Sequence, residues 1–361
     1  GNPTERNGVS LAGLIHKLDY RGTTSTALSF GDDAPCHGYL VGEPHQGLKY
    51  MFQMMNEARV GVGFGAAVIG YRGYMHSLEY AKDRLQGRKA SEKNPESPQV
   101  PIIEHADVRR MLLAQKAYSE GGLALCLYGA RLMDDQHTHP DEQKRLEAGK
   151  LLDLLTPVIK AWPSDYGPKA NDLAIQVYGG AGYTREYPVE QCWRDNRLNP
   201  IHEGTNGIQA MDLLGRKIWQ DQSHGLQLLM QEMQVDLQAA TTDRCQQWAL
   251  SLSETLQQAV KVTQSLGKSL MEGDPDRTLA NASCYLHLFG HIMVAWMWLR
   301  QANAAAHALG SANTDDERNF YQGKLQAAQY FFHWELPTVA QDLVLLRNQD
   351  DTCLNMKSEW F

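Results

Sequence analysis

A chain of 361 residues, 43% hydrophobic and 21% charged, with 31 Gly and 14 Pro, has room for two domains at about 150 residues each and is neither disordered nor collagen-like. Its 34 Lys+Arg against 42 Asp+Glu give a net −8, distributed unevenly. Residues 223–361 hold nine basic and fifteen acidic groups, net −6, and the remainder is net −2, so neither part is built to neutralise nucleic-acid phosphates.

Residues 1–47 read as β. Residues 25–30 and 38–41 are short extended runs, with turns at Gly22, Gly31-Asp32-Asp33 and Gly42-Glu43-Pro44. Two or three short strands leave sheet edges unpaired, and nothing downstream reads as strand. The sequence is therefore expected to begin inside a β domain. From Gln46 the pattern turns helical: Met51, Met54, Met55, Ala58, Val62, Ala66 and Ile69 recur at three- and four-residue steps, predicting one long helix to about Gln86. Residues 87–100, rich in Pro, Ser, Lys and Glu, read as an exposed loop. A second helix is predicted over 101–134 and a third over 141–176, bent where Trp162-Pro163 interrupts it. After the glycine-rich turn at 179–182, shorter helices run to about Asp221. Long helices with brief connections describe a helical bundle over 48–222.

Residues 223–361 also read as helical, from Leu226 to Leu266 and, after the break at Gly273-Asp274-Pro275, over 277–309 and 314–347, a three-helix unit. Trp296, Trp298, Phe331, Phe332 and Trp334 read as its packing residues. The longest apolar run, residues 292–299, falls short of the ~20 a membrane-spanning helix needs. The six Cys are never closer than 39 positions, without a CxxC pair, which suits a reducing, cytoplasmic setting. The start shows no basic segment followed by an apolar stretch.

Gly61, Gly63 and Gly65 lie inside a helical pattern with no strand before them, so they read as small residues for close helix approach rather than a dinucleotide loop. His287 and His291 are four apart but lack the intervening Glu and an obvious third ligand, and no metal site is expected. GxSxG and the P-loop signature are absent. The chemistry-dense stretch is 171–217. There Gly179, Gly180 and Gly182 permit close backbone approach to a ligand, and Glu203 precedes a helix beginning at Asn206. A carboxylate in that place is either a helix-terminal partner or a catalytic base.

QVYGGAGYTREYPVEQCWRDNRLNPIHEGTNGIQ (176–209) resembles the C-terminal signature of the acyl-CoA dehydrogenases, as do residues 17–63 and YAKDRLQG (80–87). The resemblance covers ~8–222, and 223–361 is similar to the extra C-terminal helical domain of the 3-methylmercaptopropionyl-CoA dehydrogenase-like branch. It implies a mainly α fold: a remnant of the central β domain at 1–47, a four-helix bundle at 48–222 and the additional helical domain at 223–361, with the N-terminal helical domain and most of the β domain outside the sequence. It implies an FAD-dependent α,β-dehydrogenation of an acyl-CoA thioester, with Glu203 as α-proton acceptor in a water-poor pocket and its N–H as a donor to the developing enolate. Ala58 stands where some relatives carry the base instead. Arg84 and Gln86 match contacts to FAD phosphates across a subunit boundary; Gln176, Gly179 and Gly180 match the adenine end; Thr205, Asn206 and Gly207 match FAD contacts after the base. Asn56, Arg59 and Gly204 match acyl-CoA contacts. The sequence departs from the pattern at His202, where Tyr is usual, at Asn56, where Asp is frequent, and at Ala106 after His105, where many members have Gln. The resemblance also implies a homodimer or homotetramer and electron-transferring flavoprotein as electron acceptor. A non-catalytic flavoprotein or helical interaction module on the same scaffold is the alternative, which the acidic extension keeps open.

Overall fold

The computed structural model describes residues 6–361, the side chains of Phe52 and Gln53 excepted. Two compact units divide the chain, residues 1–56 and 57–361. In the first, β1 (Val9–Leu14) and β2 (Thr26–Phe30) pair antiparallel, Val9 opposite Phe30 and Leu14 opposite Thr26, with an irregularity between Leu11 and Gly13. β2 matches the expected run. β1 was not anticipated, because Gly13 interrupts its alternation of side chains. Residues 38–41 are irregular rather than a strand. The Asn7 amide ties this loop to the hairpin: its Nδ2 donates to the His37 carbonyl and its Oδ1 accepts from the His37 N–H, both at 2.7 Å.

Three long helices follow: α1 (Gly47–Asp83), α2 (Ala106–Thr138) and α3 (Glu142–Tyr178). Side-chain pairs fix their directions. Ser77 meets Gln115 while Gly70 faces Ser119, so α2 runs against α1. Gly63 faces Ile159, Gly70 faces Gly167 and Gly73 faces Asn171, so α3 runs along α1. Asp141 caps α3, its side chain accepting from the Gln143 N–H at 2.8 Å. Pro157, Pro163 and Pro168 all lie inside α3, yet it continues to Tyr178. A proline has no N–H for the carbonyl four residues back, so Pro163 leaves the Ile159 carbonyl free. That oxygen faces α1, and a Cβ on Gly63 would lie only 2.0 Å from it. Of the three clustered glycines only Gly63 serves close approach; at Gly61 and Gly65 a Cβ would meet nothing within 4 Å.

Short helices α4 (Val189–Asn196) and α5 (Asn206–Gly215) complete this part. The rest holds α6 (His224–Gln238), α7 (Asp243–Met271), α8 (Pro275–Leu279), α9 (Ala282–Leu309), α10 (Asp315–Tyr330) and α11 (Ala340–Asn348). The expected three helices are thus subdivided. The 226–266 run breaks between α6 and α7. Residues 277–309 begin in the separate α8. Residues 314–347 pass from α10 through a π-type turn at Phe331–Glu335 and a 3-10 turn at Leu336–Val339 before α11. Pro337, unable to extend an α-helical ladder, lies in the second turn.

One hydrophobic core joins α6–α11 to the bundle: it includes Leu125, Leu155, Trp162, Leu213, Trp248, Trp296 and Phe331. α9 lies at its centre, with every residue from Leu288 to Leu299 buried. The Trp298 indole N–H donates to the Ala117 carbonyl on α2 at 3.1 Å. Trp296, Trp298, Phe331 and Phe332 pack as expected, but Trp334 is 58% exposed on the outward side of the π-type turn. By length and composition α9 is apolar enough to cross a membrane, although His291 and Arg300 bound its longest unbroken apolar run. Yet 83% of its apolar window is buried inside the protein; it is a core helix.

Candidate active site

The loop carrying Glu203 connects α4 to α5. Glu203 has φ +55° and Gly204 φ +83°, two consecutive left-handed residues. For glutamate this conformation costs about 1–2 kcal/mol, so neighbours must hold it. Gln209, fully buried one turn into α5, donates from Nε2 to the Glu203 and Gly204 carbonyls, each at 3.3 Å. Thr205 caps α5, its hydroxyl accepting from the Ile208 N–H at 3.4 Å. Gly204 suits its positive φ, and a Cβ there would lie 2.7 Å from Gln209 Nε2 and so disturb the amide that holds the turn.

Arg59 is almost fully buried and pairs with Asp212 of α5 at 3.3 Å, while Asp212 also holds Arg216 at 2.7 Å. Two buried atoms here lack a partner among the described residues: Arg59 Nε and Gln209 Oε1. An unpaired buried donor and acceptor beside Glu203 carry a desolvation cost of ~1–3 kcal/mol each, which a bound polar ligand would relieve.

Asn206 is held from α3. Its Oδ1 accepts from Lys160 Nζ at 2.9 Å and lies 3.1 Å from Ser164 Oγ; its Nδ2 donates to Asp165 Oδ1 at 2.6 Å. Lys160 is wholly buried. Burial draws its ammonium down to about 8, against the pull of Asp165 and Glu203 and with the push of Arg59. Crowding by protein raises the Asp165 carboxyl, which Asn206, Lys169 and Lys160 oppose. From the other side a chain of buried amides reaches the loop. The Ile69 carbonyl accepts from Asn171, Asn171 Oδ1 and the Ala66 carbonyl accept from Asn196, Asn196 Oδ1 accepts from Asn199, and Asn199 Oδ1 lies 3.2 Å from His202 Nε2. Burial lowers the His202 pKa, with Lys160 adding to it, and so favours the neutral ring.

Glu203 itself is exposed. The water-poor pocket expected around it is not formed by these residues. Nor does one groove unite all the predicted positions. Arg59, Glu203, Gly204, Thr205, Asn206 and Gly207 come together, whereas Arg84, Gln86, Gln176, Gly179 and Gly180 lie at the far ends of α1 and α3. Those ends are joined by Tyr80 stacked on Tyr178 at 4.1 Å. From Lys160 to Gln176 the helix rises ~24 Å. At that second cluster Arg84, Gln86, Gln176, Gly179 and Gly180 are all exposed. Gly179 has φ +61°, and a Cβ on Gly179 or Gly180 would meet nothing within 4 Å. Bare backbone at the end of α3 and an exposed guanidinium at the end of α1 are each groups that suit phosphate oxygens. Asn56 lies on α1 in the first compact unit, half-buried.

His287 and His291 form a hydrogen-bond network: Tyr166 Oη lies 2.8 Å from His287 Nε2 and 3.2 Å from His291 Nε2, and His287 Nδ1 lies 2.5 Å from Asp342. Sequence reasoning missed Lys160, Asn171, Asn196, Asn199 and Gln209. A lone lysine within LLDLLTPVIKAW was the signal available for the first; single amides in helices carry none.

Two family models match the chain in sequence: acyl-CoA dehydrogenase, C-terminal domain, over residues 45–218, and acetyl-CoA dehydrogenase C-terminal like, over 229–357. The chain belongs to the acyl-CoA dehydrogenase family. Among its curated relatives, the broad-specificity linear acyl-CoA dehydrogenase FadE5 of Mycobacterium tuberculosis is 33% identical, covering 100% of this chain and 61% of its own length. The 3-methylmercaptopropionyl-CoA dehydrogenase of Ruegeria pomeroyi is 34% identical over 92% of this chain and 55% of its own. The chain thus spans rather more than half the length of these relatives. In fold, this family member aligns with Caenorhabditis elegans ACDH-11 in complex with C11-CoA (TM-score 0.77, 16% identity, 98% of this chain and 52% of that one). It also aligns with a Bacillus anthracis acyl-CoA dehydrogenase complexed with FAD (TM-score 0.72, 19% identity, 96% and 58%).

Proposed function

We propose that this chain carries the base and part of the acyl-CoA and FAD contacts of an acyl-CoA dehydrogenase that converts an acyl-CoA thioester to its 2-enoyl form. The observation that carries the reading is Glu203 in a left-handed turn braced by Gln209, with unpaired buried polar atoms of Arg59 and Gln209 beside it. In this reading a Glu203 carboxylate oxygen takes the α-proton, and the Glu203 N–H donates to the thioester oxygen, where negative charge gathers. Arg59 and Gly204 face the acyl-CoA, with Asn56 on the same helix as Arg59. The chemistry that bound FAD supplies is acceptance of a hydride from the substrate Cβ. Thr205 and Gly207 line that side. Arg84, Gln86, Gln176, Gly179 and Gly180, ~24 Å away along α3, would serve the phosphates and adenine of the FAD bound by a second copy. This makes the working unit a homodimer or homotetramer. The proposed electron acceptor is electron-transferring flavoprotein, and the six unpaired cysteines fit a cytoplasmic setting.

The test is spectroscopic. Flavin-loaded enzyme mixed anaerobically with acyl-CoA should bleach its visible flavin absorbance. A spectrum that shifts on binding but never bleaches with any acyl-CoA supports the non-catalytic flavoprotein instead. The 361-residue chain alone should bind FAD weakly, because the resemblance places the isoalloxazine ring on the β domain; a stoichiometrically yellow preparation contradicts that part.

A further inference from the structure

We propose that Lys160 and Asp165, acting through the Asn206 side chain, are positioning residues that hold the Glu203 loop in its working conformation. This rests on Glu203 being the base. The geometry assigns the Asn206 amide to the protein interior rather than to a cofactor. Its oxygen accepts from the Lys160 ammonium and its nitrogen donates to the Asp165 carboxylate, so the amide bridges a cation and an anion of α3. This arrangement also fixes which way the amide points, since an ammonium has only donors and a carboxylate only acceptors. Asn206 is three residues from Glu203. With its side chain fixed to α3 and Gln209 holding the Glu203 and Gly204 carbonyls, the left-handed pair at 203–204 is gripped at both ends.

Lys160 has no evident purpose in packing. It is a wholly buried ammonium, and its one side-chain hydrogen bond among the described residues goes to Asn206. No carboxylate lies within ion-pairing distance of it among those residues. A buried charge without a direct counter-ion is expensive; a lysine kept only for stability would be replaced with advantage by an apolar residue of similar length. The charged groups facing it are Asp165 on its own helix, Arg59 on α1 and Glu203 on the loop, with the neutral His202 ring beside them. All but Asp165 belong to the base and its surroundings, and that placement is what a cost accepted for function looks like.

Stability and function are therefore expected to move in opposite directions. Lys160→Met should leave the melting temperature at pH 7 unchanged or raised, while hydrogen exchange across residues 199–209 of the 361-residue chain accelerates at least tenfold. In the flavin-loaded enzyme the same variant should slow flavin reduction by acyl-CoA about tenfold or more, with KM within about twofold. Lys160→Gln, neutral but still able to donate to Asn206, should recover most of the loop protection. Glu203→Gln, measured alongside, separates the two levels. If it leaves flavin reduction unaffected, the base assignment fails. If it slows reduction while Lys160→Met changes neither reduction nor loop exchange, the positioning role alone fails. A melting temperature that drops together with protection throughout the chain would make Lys160 a packing residue and overturn the proposal. Should Lys160→Met not fold, Asp165→Ala serves: it removes the acceptor that holds Asn206 Nδ2, and unchanged loop exchange there overturns the bridge.

Discussion

Asn196 shows how single side chains, rather than a pocket, shape this site. It is wholly buried and bonds the Ala66 carbonyl, Asn171 and Asn199 at 3.0, 2.7 and 2.8 Å. Replacing it with Ala would leave several buried groups unpaired, each costing ~1–3 kcal/mol. Asn196→Ala should therefore lower stability by at least ~2 kcal/mol in urea denaturation; a loss under ~0.5 kcal/mol would mean that water fills the gap at little cost. The place of Glu203 just before a helix was legible in the sequence because a carboxylate followed by Gly and a helix-capping Thr is a local pattern, whereas its reading as the base came from the family resemblance. The residues that hold it were not legible. Asn171, Asn196 and Lys160 act across 25 to 130 positions of chain, and nothing in a helical pattern says which polar residue will face a neighbouring helix.

Among the elements, the long helices were readable because their apolar periodicity persists for many turns, and α1 was expected within a few residues of its ends. What failed were short features set by tertiary contact: the break between α6 and α7, the π-type turn before Pro337, and β1. The crossing of α1 and α3 uses Gly63, Gly70, Gly73 and Gly167, and of the clustered glycines 61, 63 and 65 it needs only Gly63. Gly63→Ala would push a methyl group into the Ile159 carbonyl at 2.0 Å, whereas Gly61→Ala would enter open space. Overpacking at such a contact typically costs ~1–3 kcal/mol, while Ala for Gly on an open helix face gains up to ~1 kcal/mol. Melting curves of the two variants should diverge in opposite directions from the parent. Equal shifts would mean that α1 and α3 can separate without penalty.

At the scale of the whole molecule, residues 57–361 form one compact unit whose largest core joins bundle and extension, and α3, α9 and α11 meet in the Tyr166–His287–His291–Asp342 network. Burial, reinforced by His287, pulls His291 down to about 3, below its ordinary 6.5, so the folded protein holds it neutral. The unfolded chain takes up that proton first. The stability this group contributes is therefore present above about pH 6.5 and is lost as pH falls from there towards 3, at ~1.4 kcal/mol per unit. Urea midpoints measured at pH 7, 5 and 4 should fall more steeply for the parent than for His291→Phe, and loss should appear as one transition for bundle and extension together. Parallel slopes would show that His291 is protonated without cost.

The measurement that bears most directly on the account is the rate of flavin reduction in Glu203→Gln, followed by rapid mixing of the flavin-loaded enzyme with acyl-CoA. Glutamine keeps the volume and the hydrogen-bonding capacity of the side chain but has no basic oxygen, and Ala58, in the position where some relatives carry the base, cannot take the proton. General-base catalysis contributes ~10²–10⁴-fold, so reduction should slow by at least that order while acyl-CoA still perturbs the flavin spectrum on binding. Reduction within a few-fold of the parent rate would make Glu203 a helix-terminal residue and place the base elsewhere.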